Sequence, residues 1–234
     1  MKTLNKGGTG PEVGLLRRLL NRNMRPSPNL PEANVFGARY NGAMARVDFG
    51  PKTDAAVRTF QRGKRIKDDG IVGRLTWGKL GLTIDINQMV NLASQPTNDT
   101  CYAAAASMVI GPGAAMSLNP GPVPPGVRPD DHWAQSFSRQ FLSWRLEHGM
   151  SLTPIGLATF LRGGAFWFAG NLPFPAGPSY HAVVVAAMWG DGNPDHTMLL
   201  IYDPWPANVG EVYGIILGDY MRHFPQAFRY ILHR

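Results

Sequence analysis

A chain of 234 residues with 44% hydrophobic content is long enough to bury one large core or two small ones. No run approaches the roughly 20 apolar residues of a membrane-spanning helix, and the opening MKTLNKGGTG has no apolar segment behind its lysine, so neither an anchor nor an ordinary signal peptide is expected. The single cysteine excludes an internal disulfide framework, and the net charge of +7 is unevenly divided: residues 1–82 carry 16 Lys and Arg against 6 Asp and Glu, residues 83–234 carry 7 against 10. A basic part joined to a mildly acidic one predicts a module that docks on a polyanion beside a unit that does chemistry. Charge alone admits nucleic acid or bacterial cell wall as that polyanion.

The first predicted helix runs from Glu12 to Asn21, with Val13, Leu16, Leu19 and Leu20 on one face. A Pro-, Asn- and Gly-rich stretch from about Arg25 to Arg46 then reads as an extended loop near a groove. A short internal repeat follows, in which Asp48-Phe49-Gly50-Pro51-Lys52-Thr53 lies beside Asp69-Gly70-Ile71-Val72-Gly73-Arg74-Leu75-Thr76. In each, Gly-x-x-Thr opens a helix. Ala56, Val57 and Phe60 fall at helical spacing after the first, Trp77 and Leu80 after the second. Pro51 suits a first helical turn, and the glycines before each helix are expected to permit tight turns. Residues 1–82 are thus predicted to be three short helices around a small core. They resemble the three-helix peptidoglycan-binding domain of wall hydrolases, through Gly7-Gly8 to Leu19-Leu20-Asn21, Phe49 to Gln61, Asp69 to Gly73 and Thr76-Trp77. The resemblance implies peptidoglycan as partner, with neither nucleic acid nor membrane.

From Gly81 to Ser94 the charge thins, and residues 83–94 are expected to be a linker, with the catalytic unit spanning 95–234. Cys101 opens the alanine-rich run Cys101-Tyr102-Ala103-Ala104-Ala105-Ala106-Ser107-Met108-Val109-Ile110, a strong helix stopped by Gly111-Pro112-Gly113. Asn98, Asp99 and Thr100 are capping residue types just before it. A thiol in a first helical turn feels the positive end of the macrodipole, which favours the attacking thiolate. Gln95, six residues upstream, can fold its amide back beside the thiol and form an oxyanion hole with the Cys101 backbone N–H.

A base for Cys101 must come from far along the chain. His181 is the best of six histidines, because His181-Ala182-Val183-Val184-Val185-Ala186-Ala187-Met188 reads as a central strand with an imidazole at its edge. Gly190-Asp191-Gly192 makes a turn, and the paired strand Thr197 to Tyr202 delivers Asp203 to hold the second imidazole N–H. His196 is the runner-up; His132, His148, His223 and His233 have no comparable setting. No His-Glu-x-x-His helix, Gly-x-Ser-x-Gly elbow or Walker lysine loop is present, and neither a metal nor a cofactor is expected.

Gln95, Cys101 to Ala105, Gly164 to Ala169, His181 to Val185 and Asp203-Pro204-Trp205 resemble the bacterial effector branch of papain-like cysteine proteases. That resemblance implies an α+β fold in which the helix carrying the cysteine packs on an antiparallel sheet. It also implies Cys101, His181 and Asp203 as triad and Gln95 as oxyanion donor. Tyr102 replaces the usual Trp after the nucleophile, and the Pro-rich stretch Asn119 to Pro129 reads as a rim of the cleft. Two activities follow: a wall amidase or endopeptidase, or a delivered effector that cleaves a protein and uses the module for docking. Either is expected to be made in the bacterial cytoplasm and secreted, or delivered to a periplasm or target cell, without a Sec signal. A neutralising immunity protein is an expected partner for such a self-toxic enzyme.

Overall fold

The computed structural model describes residues 1–32, 47–111, 122–127, 129–140, 144–149, 153–174, 177–223 and 228–234. The expected loop from Arg25 to Arg46 lies outside them from residue 33 onward, as do residues 119–121 and 128 of the Pro-rich rim.

Among the described residues three helices build the N-terminal module: α1 (Pro11–Asn23), α2 (Pro51–Gly63) and α3 (Arg74–Lys79). Val13, Leu15, Leu16, Leu19 and Leu20 of α1 are fully buried against Val57, Phe60, Val72 and Trp77. The repeat works differently from expectation. Gly50 and Gly73, which precede α2 and α3, hold ordinary extended backbone at φ −84° and −94°. The left-handed position is Gly70, at φ +74°, where a Cβ would run into Asp54 Oδ1. Gln61 locks this turn: its amide donates to Ile71 O at 2.9 Å and its Oε1 accepts from Gly70 N at 3.0 Å. A buried amide that satisfies two backbone groups explains why Gln ends the first repeat and Asp-Gly-Ile opens the second.

The remainder is an antiparallel sheet with helices on both faces. Its strands are β1 (Ile84–Asn87), β2 (Arg145–His148), β3 (Phe166–Phe174), β4 (Gly177–Gly190), β5 (Met198–Asp203), β6 (Glu211–Ile216) and β7 (Phe228–His233). The spatial order is β2-β7-β3-β4-β5-β6, and β1 pairs with the end of β4, Ile84 opposite Gly190 and Asn87 opposite Ala187. The segment expected as a linker therefore contains a strand of the sheet. Its alternation Ile84-Asp85-Ile86-Asn87 supplies the period-2 pattern that a half-covered strand requires.

On one face α6 (Pro154–Gly163) and α7 (Leu217–His223) pack Leu157, Leu161 and Tyr220 over Phe166, Phe168, Val183, Val185 and Ile201. On the other, α4 (Cys101–Ile110) and α5 (Pro129–Gln140) cover Trp167, Ala169, Ala182, Val184 and Leu232. Ala105 and Ala106 are fully buried there. Small side chains let α4 sit close to the strands, which is how the alanine run places a helix start beside the sheet.

Module and sheet share one core. Ala187, Trp189, Met198 and Ile216 of the sheet belong to the same buried cluster as the α1 leucines. Ion pairs frame the contact: Arg18 reaches Asp219 at 2.8 Å, Arg22 pairs with Asp191, and the Met1 ammonium meets Asp85 at 2.6 Å. Gly214 in β6 permits the approach, since a Cβ there would meet Pro11 Cβ at 2.5 Å.

Candidate active site

Strand pairing brings the start of β4 and the end of β5 to one end of the sheet, with Val184 opposite Tyr202. His181 is the fifth residue of β4 and not its edge: the strand begins at Gly177, and Gly170 of β3 lies opposite the histidine. Its Nε2 donates to Asp203 Oδ1 across 2.6 Å, with both side chains buried. Asp203 is held further by Trp205 N–H on Oδ1 at 2.8 Å and by the Tyr213 hydroxyl on Oδ2 at 3.1 Å. A carboxylate receiving three donors stays fixed in position and ionised in a dry setting.

Cys101 begins α4 and is 3% exposed. It acts on the same imidazole, both electrostatically and through a hydrogen bond. Because Nε2 is engaged by Asp203, the thiol side of the ring is Nδ1. Burial, the largest effect, pushes the His181 pKa down; the Asp203 carboxylate and then Cys101 overcome it and raise the value from 6.5 to about 9. The ring is thus an imidazolium at neutral pH.

The cap of α4 differs from expectation. Thr100 occupies the N-cap position without capping the helix, because its hydroxyl donates to Thr97 O at 3.2 Å. Asn98 and Asp99 precede that position, and no side chain caps the helix. The first-turn N–H groups, Cys101 among them, keep the partial positive charge that a side-chain cap would satisfy.

Gln95 is brought to the same end of the sheet. Its backbone N–H donates to Pro204 O at 3.0 Å and its carbonyl accepts from Asn208 N at 2.8 Å, so the loop after Asp203 clasps it. Its fully buried side chain donates Nε2 to Thr97 O at 2.7 Å, and its Oε1 has no hydrogen-bond partner among the described residues. One amide hydrogen is therefore spent on the chain that leads into α4.

His196 is not near this constellation. It lies at the far end of the β4–β5 hairpin, where its Nδ1 meets Arg22 at 2.6 Å and Asp191 at 3.3 Å, against the N-terminal module. His148 stacks near Tyr230 and His233 contacts Glu147. Among the described residues no group of three His, Cys, Asp or Glu side chains is arranged to hold a metal.

Sequence reasoning missed Tyr213 and the aromatic support of α4. Trp167 Nε1 donates to Tyr102 O at 3.3 Å, and Tyr102 stacks on Trp133 with ring centroids 4.9 Å apart. A tyrosine inside the apolar strand Glu211-Val212-Tyr213-Gly214 was the available signal, since a buried phenol needs a partner. The register that puts Tyr213 opposite Ile201, two residues before Asp203, is not readable from the strand itself.

Residues 9–80 match the family of peptidoglycan binding domains. The three-helix module is of that kind. A protein of Kitasatospora aureofaciens described as "Uncharacterized protein in bpoA1 3'region" is 66% identical over 32 residues, which are 14% of this chain and 27% of that protein. The matched segment spans about a quarter of that relative's length.

Proposed function

We propose that this chain is a cysteine hydrolase that cuts an amide bond in the peptide stems of peptidoglycan while its N-terminal module holds the wall. The observation that carries the chemistry is the buried line from Cys101 through His181 to Asp203, with 2.6 Å between imidazole and carboxylate. The wall as substrate rests on the family of residues 9–80.

In this reading the Cys101 thiolate attacks the scissile carbonyl carbon and a C–S bond forms. The oxygen takes up the electron pair beside the Cys101 backbone N–H and the second Gln95 amide hydrogen. Imidazolium His181 gives its Nδ1 proton to the leaving nitrogen, the C–N bond breaks and an amine departs. Neutral His181 then takes a proton from water, whose oxygen attacks the thioester. The C–S bond breaks, and the acid leaves with thiolate and imidazolium restored. Asp203 keeps the ring in one tautomer and balances the charge it carries.

Incubating purified sacculi with the full chain and separating the released muropeptides tests the reading. New fragments with one free amine and one free carboxylate per cut are expected, and alkylation of Cys101 should stop their appearance. Unchanged sacculi, from a protein whose Cys101 still reacts with an electrophilic thiol probe, would move the substrate to a protein and favour a delivered effector. A Cys101 inert to such probes would remove the hydrolase reading altogether.

A further inference from the structure

Among the described residues most arginines of the basic module are already occupied. Arg17 donates to Thr53, Arg18 to Asp219, Arg22 to Asp191, Arg58 to Asp54 and Arg62 to Asp68. Two of these arginines, Arg18 and Arg22, are spent on acids of the sheet domain, and the others on groups within the module. Among the described residues the side chains of Arg74 and Lys79, like those of Lys6, Lys52 and Arg65, make no hydrogen bond or ion pair, but Arg74 and Lys79 stand together on one helix.

These two cations flank an open hollow of about 510 Å³ on the outer face of α3, lined by Arg74, Leu75, Gly78 and Lys79. Leu75 is 62% exposed, and with Ile71 at 43% it is one of the two exposed large apolar side chains among the described residues of the module. Gly78 has helical backbone, and a Cβ there would meet nothing within 4 Å. A volume of this size takes a ligand of a few residues. A leucine facing water between two unpaired cations matches a short chain that alternates small apolar side chains with carboxylates.

We infer that this hollow is where the module takes the wall, and that its ligand is the anionic peptide stem of peptidoglycan and not the glycan strand. Carboxylates of the stem pair with Arg74 and Lys79, its methyl groups cover Leu75, and Gly78 lets the peptide approach the helix. A glycan offers hydroxyls and no such charge. The inference rests on the wall-binding half of the proposed function and is independent of the thiol chemistry.

The test uses the full chain carrying Cys101→Ala, so that the wall is not consumed, and sacculi stripped of phosphate polymers. Gly78→Leu fills the hollow on a backbone that accepts leucine readily, and binding to sacculi should weaken at least tenfold with no fall in thermal stability. Leu75→Glu, at a surface site, should act in the same direction and stands if Gly78→Leu fails to fold. Loss of both exposed charges in Arg74→Ala with Lys79→Ala should weaken binding roughly tenfold. Amidating the sacculus carboxylates should weaken the parent protein equally and leave the double variant unaffected. Unchanged binding by Gly78→Leu and Leu75→Glu would overturn the site, as would failure of the parent to sediment with sacculi. Indifference to amidation, or competition by a peptide-free chitooligosaccharide as strong as by a disaccharide tetrapeptide, would overturn the ligand.

Discussion

Gln61 in the module and Asp203 in the sheet are both buried polar side chains around which their surroundings are organised, yet they gather partners over different distances. Gln61 reaches Gly70, Ile71 and Thr76, none more than 15 residues away. Asp203 holds Tyr213 across 10 residues and His181 across 22, and through His181 it acts with Cys101, which lies 80 residues earlier. The module is thus written as contiguous motifs, whereas the site exists only after β4, β5, β6 and α4 have paired and packed. The seam between them belongs to neither plan, since α1 leucines and Trp189 form one cluster.

The largest effects should come from the thiol and the imidazole. Cys101→Ala and His181→Ala are each expected to lower kcat on sacculi by roughly 10⁴–10⁶, because nucleophile and base act as a unit, with circular dichroism close to wild type in both and a lower unfolding midpoint for His181→Ala alone, which leaves the Asp203 carboxylate buried without its partner. Near wild-type turnover by either variant would end the triad assignment. Asp203→Asn should lose less than either, since an amide still orients the ring but balances its charge poorly.

A second prediction addresses the seam. Trp189→Ala opens a void between α1 and the sheet and should cost about 3–5 kcal/mol, read as a lower denaturant midpoint of one cooperative transition monitored in both regions. Trp189→Phe should cost much less, because the Trp189 indole N–H is buried without an acceptor among the described residues and its loss removes that penalty. Two separate transitions, with only one shifted, would mean that the module and sheet are stable independently.

Gln95→Ala follows, with an expected fall of roughly 10²–10³ in kcat if the amide is an oxyanion donor. The bond from its Nε2 to Thr97 O sharpens the alternative. If that contact mainly holds the chain into α4, the variant should lose stability and KM should change more than kcat.

How far the sequence foretold these features follows the same division. The three helices, the resemblance of residues 9–80 and the strand carrying Asp203 were legible, because apolar spacing and turn residues lie side by side in the chain. Residues 83–94 were misread as a linker: four residues of alternating Ile84-Asp85-Ile86-Asn87 look like little until β4 supplies an edge to pair with. The glycines before α2 and α3 suggested tight turns, yet the backbone uses Gly70 instead, a distinction that depends on Gln61 folding back. Gln95, Cys101, His181 and Asp203 could be named as candidates, but the donors that hold Asp203 could not, since they depend on register.

Tyr213→Phe is the smallest of the expected effects and tests the geometry most finely. His181 has a folded pKa of about 9, above its ordinary 6.5, so its contribution to stability is complete below pH 6.5 and is lost as pH rises through 9. The same proton sets activity: the imidazolium that serves as acid persists to about pH 9, and turnover should decline above it. The Tyr213 hydroxyl draws charge from Asp203 Oδ2. Without it the carboxylate presents more charge to the imidazolium, which holds its proton more tightly, so the alkaline limb should move to higher pH. Losing one hydrogen bond to a charged group, worth about 1.5–3 kcal/mol, should also let the carboxylate turn and reduce kcat/KM roughly tenfold. A tyrosine that merely filled space would lower stability and leave the limb where it stands. A limb that stays fixed or moves to lower pH would therefore show that Tyr213 packs against Asp203 without tuning it.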